Sequence, residues 1–220
     1  MGDGQVTGLP LLTILIAVPL IAGGVALFLN ASGARWIALI ATLIDLALGT
    51  YLWLNFDPHG AQWQFVEKVG LGGGVGWALG IDGIALVLIM LSVFLMPICI
   101  GASWRAIEKR VPEYMAAFLL MEALMLGVFA AQDIFLFYIF FEGGLIPMYL
   151  IIGIWGGVER IKASYKFFLY TLLGSVLMLI AMLYMVITAR IQSGYLYSYA
   201  LVMLLGLIGA ASWALWWASK

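Results

Sequence analysis

Carboxylates embedded in long apolar runs are the side chains of this chain best placed to do chemistry. Asp45, Glu122 and Glu142 each stand inside such a run, and Asp133 stands at the end of one. A charge at bilayer depth costs roughly 2.5–3.5 kcal/mol on insertion scales, so an acid kept there marks an ion or proton site or a hydrogen-bonded helix contact. Glu142 is the most pointed case. It lies near the middle of Ile134–Gly157, IFLFYIFFEGGLIPMYLIIGIWGG, with Gly143 and Gly144 next to it and Pro147 five residues on. Proline removes a backbone donor and glycine loosens the turn, so the acid sits beside weakened helical backbone. By helical spacing it shares a face with Tyr138, Leu145, Ile146 and Tyr149, and the two tyrosines offer hydroxyl partners or a way to hold water. Proton transfer and helix-to-helix glue both fit Glu142 and Glu122. Asp45 reads as structural, or as hydrated from a polar crevice.

No Lys or Arg falls within any of the apolar spans. Hydrocarbon disfavours the charged form of an acid unless a cation or donors compensate, so neutral acids are expected there.

The runs that carry these acids are membrane-spanning by length. Apolar residues make up 65% of the chain and charged ones 10%, with a mean hydropathy of +1.14, too little charge to cover a soluble domain. Seven spans are expected, each near the ~20 residues a bilayer core needs: Leu9–Leu29, Trp36–Leu54, Ile84–Ala102, Tyr114–Ala131, Ile134–Ile154, Phe167–Ile187 and Tyr197–Trp217. The fold class is therefore all-α, a polytopic membrane helix bundle. The fourth and fifth spans are joined only by Gln132 and Asp133 and must form a tight antiparallel pair. The first run follows an acidic N-terminus without a clear cleavage site and reads as a retained helix.

Lys and Arg divide between the two sides of these spans eight to two, with Lys68 and Arg190 on the poorer side. The bias places the N-terminus outside and the C-terminus in the cytoplasm. The longest loop, Asn55–Gly80, then lies outside. Its GLGGGVG run lacks the strand, helix and Lys of a phosphate loop and reads as turns with interfacial tryptophans. His59 is the sole histidine and reads as a turn residue; Cys99, the sole cysteine, reads as a small buried hydrophobe. Gly153/Gly157 and Gly206/Ala210 have the spacing of close helix contacts. No nucleotide motif, catalytic triad or metal-ligand spacing is present, so no cofactor, metal, nucleic acid or directly bound soluble substrate is expected, and the chain alone is not a self-sufficient enzyme.

FYIFFEGGLIPMYLIIGIWGG resembles the fifth helix of the antiporter-like subunit M of bacterial NADH-quinone oxidoreductase, the counterpart of mitochondrial chain 4. LGIDGIALVLIMLSVFLMPICIGASW and RIKASYKFFLYTLLGSVLMLIA resemble the third and sixth helices of the same family. Pro147 in LIPM fits subunit M better than subunits L and N or the Mrp-type cation/proton antiporters. The resemblance runs from about Leu9 to Ala189. It implies a non-catalytic inner-membrane subunit that couples quinone reduction to proton translocation, with the lipid bilayer and the other membrane-arm subunits as partners. It gives Glu142 the place of the family's key proton-path acid and Glu122 that of a further acid found in many members. Family members run to about fourteen spans in two inverted repeats. This chain corresponds to the first six, and nothing in it matches the lysine of the seventh helix that the glutamate works against. Residues 1–189 are thus a subunit M-like bundle, and 190–220 an extra span resembling the last helix of subunit L. A truncation, a fusion or an assembled chain would have this form. The rival readings are a structural or assembly fragment without transport and a subunit of a cation/proton antiporter complex.

Overall fold

The computed structural model describes residues 10–70 and 76–191. The order is α1 (Leu11–Ala26), α2 (Ala31–Asn55), β1 (Gln64–Gly70), β2 (Gly76–Ile81), α3 (Gly83–Ala106), α4 (Val111–Ala130), α5 (Ile134–Trp155) and α6 (Arg160–Ile191). Six of the seven expected spans are thus helices, and the seventh, Tyr197–Trp217, lies outside the described residues. Helices α2 to α6 are long and apolar enough to cross a membrane; α1, with 16 residues, is shorter than the Leu9–Leu29 run implied.

Local sequence sets the helix starts. Asn30 accepts from the Gly33 N–H at 2.9 Å, and Asp82 from the Ala85 N–H at 2.7 Å. Asp133 Oδ1 accepts from Phe135 and Leu136 and so starts α5. Each side chain satisfies backbone donors that the first turn leaves open. The acid at the tip of the α4–α5 pair is therefore a cap.

Residues through Leu169 form one compact unit. Helix α4 is its centre, packed against α1, α2, α3 and α5. Two apolar clusters fill the unit. One joins Leu12, Leu15, Leu52, Ile89, Val93, Ala123 and Leu126. The other joins Ala34, Ala38, Ala41, Ile100, Met115 and Leu119. Large apolar side chains such as Trp36, Ile40, Leu91, Phe94 and Ile98 are exposed, as lipid-facing positions are. From Tyr170 onward a second unit begins, whose described part continues α6; Ser175 and Thr188 there donate back to the carbonyls of Leu172 and Tyr184.

The stretch expected to be turns, Asn55–Gly80, needs correction. Its second half is an antiparallel hairpin of β1 and β2, the one sheet among the described residues. The run Glu67–Val69 pairs with Leu79–Trp77, and a bulge between Gln64 and Glu67 shifts the register, with Phe65 at φ 53°. A bulge re-aims the side chain after it, and Glu67 turns inward. It accepts hydrogen bonds from the Leu12 N–H at 2.7 Å, the Thr13 N–H at 3.0 Å and the Thr13 hydroxyl at 2.5 Å. The residue before α1 is Pro10, which offers no capping side chain. Glu67 caps α1 from across the fold, with its negative charge on the positive end of the helix dipole. Trp77 Nε1 completes the joint by donating to Thr13 Oγ1 at 2.8 Å. The hairpin is also tied to α4: Gln132 N–H donates to Ala78 O at 2.9 Å, and Leu79 bridges Ala131. At the opposite end Arg35 donates to Ile107 O and Trp155 to Lys109 O. The bundle is thus tied at both ends and apolar between them.

Candidate functional site: the intramembrane carboxyls

In that apolar middle the three acids stand at similar depth. At 1.5 Å per residue, Glu122 and Glu142 lie about 12 Å from the ends of α4 and α5 that meet near Asp133, and Asp45 about 15 Å from the Asn55 end of α2.

Asp45 belongs to the inner stripe of α2, which runs Ala34, Ala38, Ala41, Thr42, Asp45, Gly49, Leu52. Small residues dominate that stripe and let neighbouring backbone come near; a Cβ at Gly49 would meet Val93 Cγ2 at 2.8 Å. Glu122 belongs to the inner stripe of α4, with Met115, Leu119, Leu126 and Ala130. Both acids are 0% exposed, and none of their four carboxyl oxygens has a hydrogen-bond partner. The two carboxyls are close enough to interact electrostatically across the α2–α4 contact. The structure therefore pairs Glu122 with Asp45, the acid that sequence reasoning set apart as structural or hydrated. The small-residue stripe of α2 was the available signal.

Glu142 is placed differently. Helix α5 meets α4 through Phe140, whose ring lies over Gly127 so closely that a Cβ there would be 2.6 Å from it, and through Gly143 against Leu124. Glu142 is two residues from Phe140, about 200° around the helix, and so leaves the α4 face. It is half-buried, with Oε2 enclosed and unpartnered. Tyr138 and Tyr149 share its face, as the spacing implies, yet neither hydroxyl bonds to it. Tyr149 instead packs its ring on Tyr165, with centroids 6.1 Å apart, and on Phe168, at 5.4 Å. Helix α5 runs unbroken through Pro147, which has no N–H to give to the carbonyl of Gly143. One helical hydrogen bond is thus missing one residue from the acid. Oε2 of Glu142 is left without a donor, on the helix face whose Tyr149 meets Tyr165 and Phe168 of α6.

The remaining sequence candidates have structural places. His59 sits in a turn where its N–H donates to Asp57 Oδ1 at 2.9 Å. Cys99 is half-buried and unpaired, less enclosed than its apolar setting implied. Gly153 brings α5 against Ser164, whose Oγ a Cβ would approach to 3.3 Å, while Gly157 has open space. Among the described residues no three His, Cys, Asp or Glu side chains gather as a metal site.

Residues 11–131 match the family described as NADH-ubiquinone oxidoreductase chain 4, amino terminus, and residues 131–216 the family described as NADH:quinone oxidoreductase/Mrp antiporter, TM. The chain is 52% identical over 186 residues to NADH-quinone oxidoreductase subunit M of Rhodobacter capsulatus, covering 81% of this chain and 36% of that protein. It is 46% identical over 175 residues to NADH-ubiquinone oxidoreductase chain 4 of Arabidopsis thaliana (77% and 35%), and 40% identical over 224 residues to subunit M of Rickettsia typhi (95% and 44%). The chain thus spans between a third and a half of the length of these relatives. Among solved structures, a chain of the membrane-bound sulfane sulfur reductase, an archaeal respiratory membrane complex, aligns with a TM-score of 0.67 at 21% identity over 79% of this chain and 36% of that one, a likeness of fold.

Proposed function

The chain belongs to the NADH-quinone oxidoreductase subunit M/chain 4 family, and on that premise we propose that it forms part of a proton-translocating membrane arm in which Glu142 is the titrating acid and Glu122 a further proton-carrying group. The observation that carries this reading is the setting of Glu142. Its carboxyl is half-buried, Oε2 accepts no hydrogen bond, and it leaves the α4 face of its helix five residues before Pro147. A group that only glued helices would use its oxygens on a neighbour.

The proposed partners are other membrane-arm subunits, which would supply a cation for Glu142, since no Lys or Arg falls within the apolar spans. The proposed placement is the inner membrane with the N-terminus outside, supported by the eight-to-two distribution of Lys and Arg. Proton-coupled quinone reduction belongs to the assembled complex, with this chain as a non-catalytic subunit.

The test is Glu142→Gln in the intact complex that contains this chain. Proton translocation per quinone reduced is expected to fall while the chain's abundance in the membrane is unchanged. Translocation at the wild-type level would overturn the assignment. A cation/proton antiporter role is the second reading, supported by the antiporter named in the match to residues 131–216; turnover that depends on sodium would favour it.

A further inference from the structure

The geometry points to a second proton site: Asp45 of α2 and Glu122 of α4 form a coupled carboxyl pair that binds and releases protons as one unit inside the bundle, apart from Glu142. The inference does not depend on the coupling role proposed for Glu142, because it follows from two acids buried without partners on helices that pack against each other.

The pair lies where the two apolar clusters meet. Along α2, Asp45 falls between Ala41 of one cluster and Leu52 of the other; along α4, Glu122 falls between Leu119 and Ala123. Helix α3 adds Ser92 to this layer, between Ile89 and Met96 on its buried stripe and about 14 Å from the start of its helix. The hydroxyls nearby are already spent as donors. Thr42 Oγ1 donates to Leu39 O at 3.0 Å and Ser92 Oγ to Leu88 O at 2.9 Å. So engaged, neither hydroxyl donates to the carboxyls, whose oxygens have no partner among the described residues.

Two ionised carboxylates cannot share such a site, since like charges without donors or a cation repel in a medium of low dielectric. A proton on either acid removes that repulsion. When one O–H bond breaks, its proton passes to water or a buffer base, and the charge left behind raises the cost of ionising the other acid. Such groups titrate as a pair, with apparent constants that belong to neither alone.

The surrounding elements bring nothing to replace this partnership among the described residues. Helix α1 carries no titratable side chain. On α3, Cys99 and Arg105 lie seven and thirteen residues beyond Ser92. On α2 and α4 themselves, Arg35, Glu113 and Tyr114 are more than two turns away toward the opposite end, and Tyr51, six residues beyond Asp45, is exposed. On α5, Tyr138 and Glu142 lie on the face turned from α4, and the hairpin's Glu67 is held at the N-terminus of α1.

Acid–base difference infrared spectra of the carboxyl stretch, recorded on this chain in lipid nanodiscs, test the pair. Asp45→Asn should move the titration midpoint of the Glu122 band by about one pH unit or more, and Glu122→Gln should move that of Asp45 likewise. Glu142→Gln should leave both in place. Independent titration, with the remaining acid unmoved in both single variants, would overturn the pair. So would loss of both bands' titration in Glu142→Gln, which would make all three acids one site, or a shift on adding sodium at constant pH and ionic strength, which would make the pair a cation site. If either single variant does not enter the membrane, Asp45→Glu and Glu122→Asp keep both carboxyls, and each should still shift the other's band.

Discussion

Two regions of the bundle bury a carboxylate and treat it in opposite ways. At the hairpin end, Glu67 is 9% exposed and accepts three hydrogen bonds from α1. In the middle, Glu122 and Asp45 are 0% exposed and accept none. Both arrangements bury an acid, and only the first gives it a structural return. Hydrogen bonds to a charged group contribute about 1.5–3 kcal/mol, whereas a buried polar atom left without a partner costs about 1–3 kcal/mol. An acid whose oxygens are all engaged is building material. An acid left unsatisfied in an apolar layer is destabilising as it stands, which directs the functional reading to Asp45, Glu122 and the half-enclosed Glu142.

The comparison can be broken at its structural end first. Glu67→Ala removes the cap of α1 and should lower stability by about 1.5–3 kcal/mol, read as a fall in the unfolding midpoint in detergent. Wedging α4 from α5 should cost about 1–3 kcal/mol: in Gly127→Leu the new side chain meets the Phe140 ring, and the same unfolding assay reads it. Trp77→Phe keeps the ring and loses the bond to Thr13, a loss of about 1 kcal/mol. At the unsatisfied end the expectation reverses. Asp45→Asn and Glu122→Gln remove no existing hydrogen bond and should change stability by less than about 1 kcal/mol, so a loss as large as that of Glu67→Ala would erase the distinction. The smallest effect belongs to Gly144→Ala, where a Cβ meets nothing within 4 Å; the helix preference for alanine should stabilise by no more than about 1 kcal/mol.

The sequence made the membrane class and the helices plain, because a run of some twenty apolar residues has few other uses. It also picked out Glu142, since an acid beside Gly–Gly and Pro breaks the apolar pattern locally. The hairpin was hidden. The strands lie either side of a glycine-rich run and carry a bulge that breaks their alternation, and they exist because they pair with each other and with the chain near Ala131. The Glu67 cap joins residues 55 apart in sequence, and nothing near Leu12 announces it beyond a proline that cannot cap. The Asp45–Glu122 pairing depends on which faces of α2 and α4 meet. Helical spacing assigns each acid to a stripe but does not say which stripes touch. Glu142 illustrates the same limit: spacing placed Tyr138 and Tyr149 on its face, while packing sent Tyr149 to Tyr165.

The division between structural and proton-carrying acids is tested most directly by proton-coupled turnover, normalised to the amount of this chain in the membrane, for Glu142→Gln beside Glu67→Gln in the intact complex. Glu142→Gln should slow turnover by roughly tenfold or more, as loss of a proton-transfer group does, at unchanged abundance. Glu67→Gln should lower abundance and leave turnover per molecule near wild type. Full turnover in Glu142→Gln, or a loss of turnover per molecule in Glu67→Gln as large as the one expected for Glu142, would contradict it.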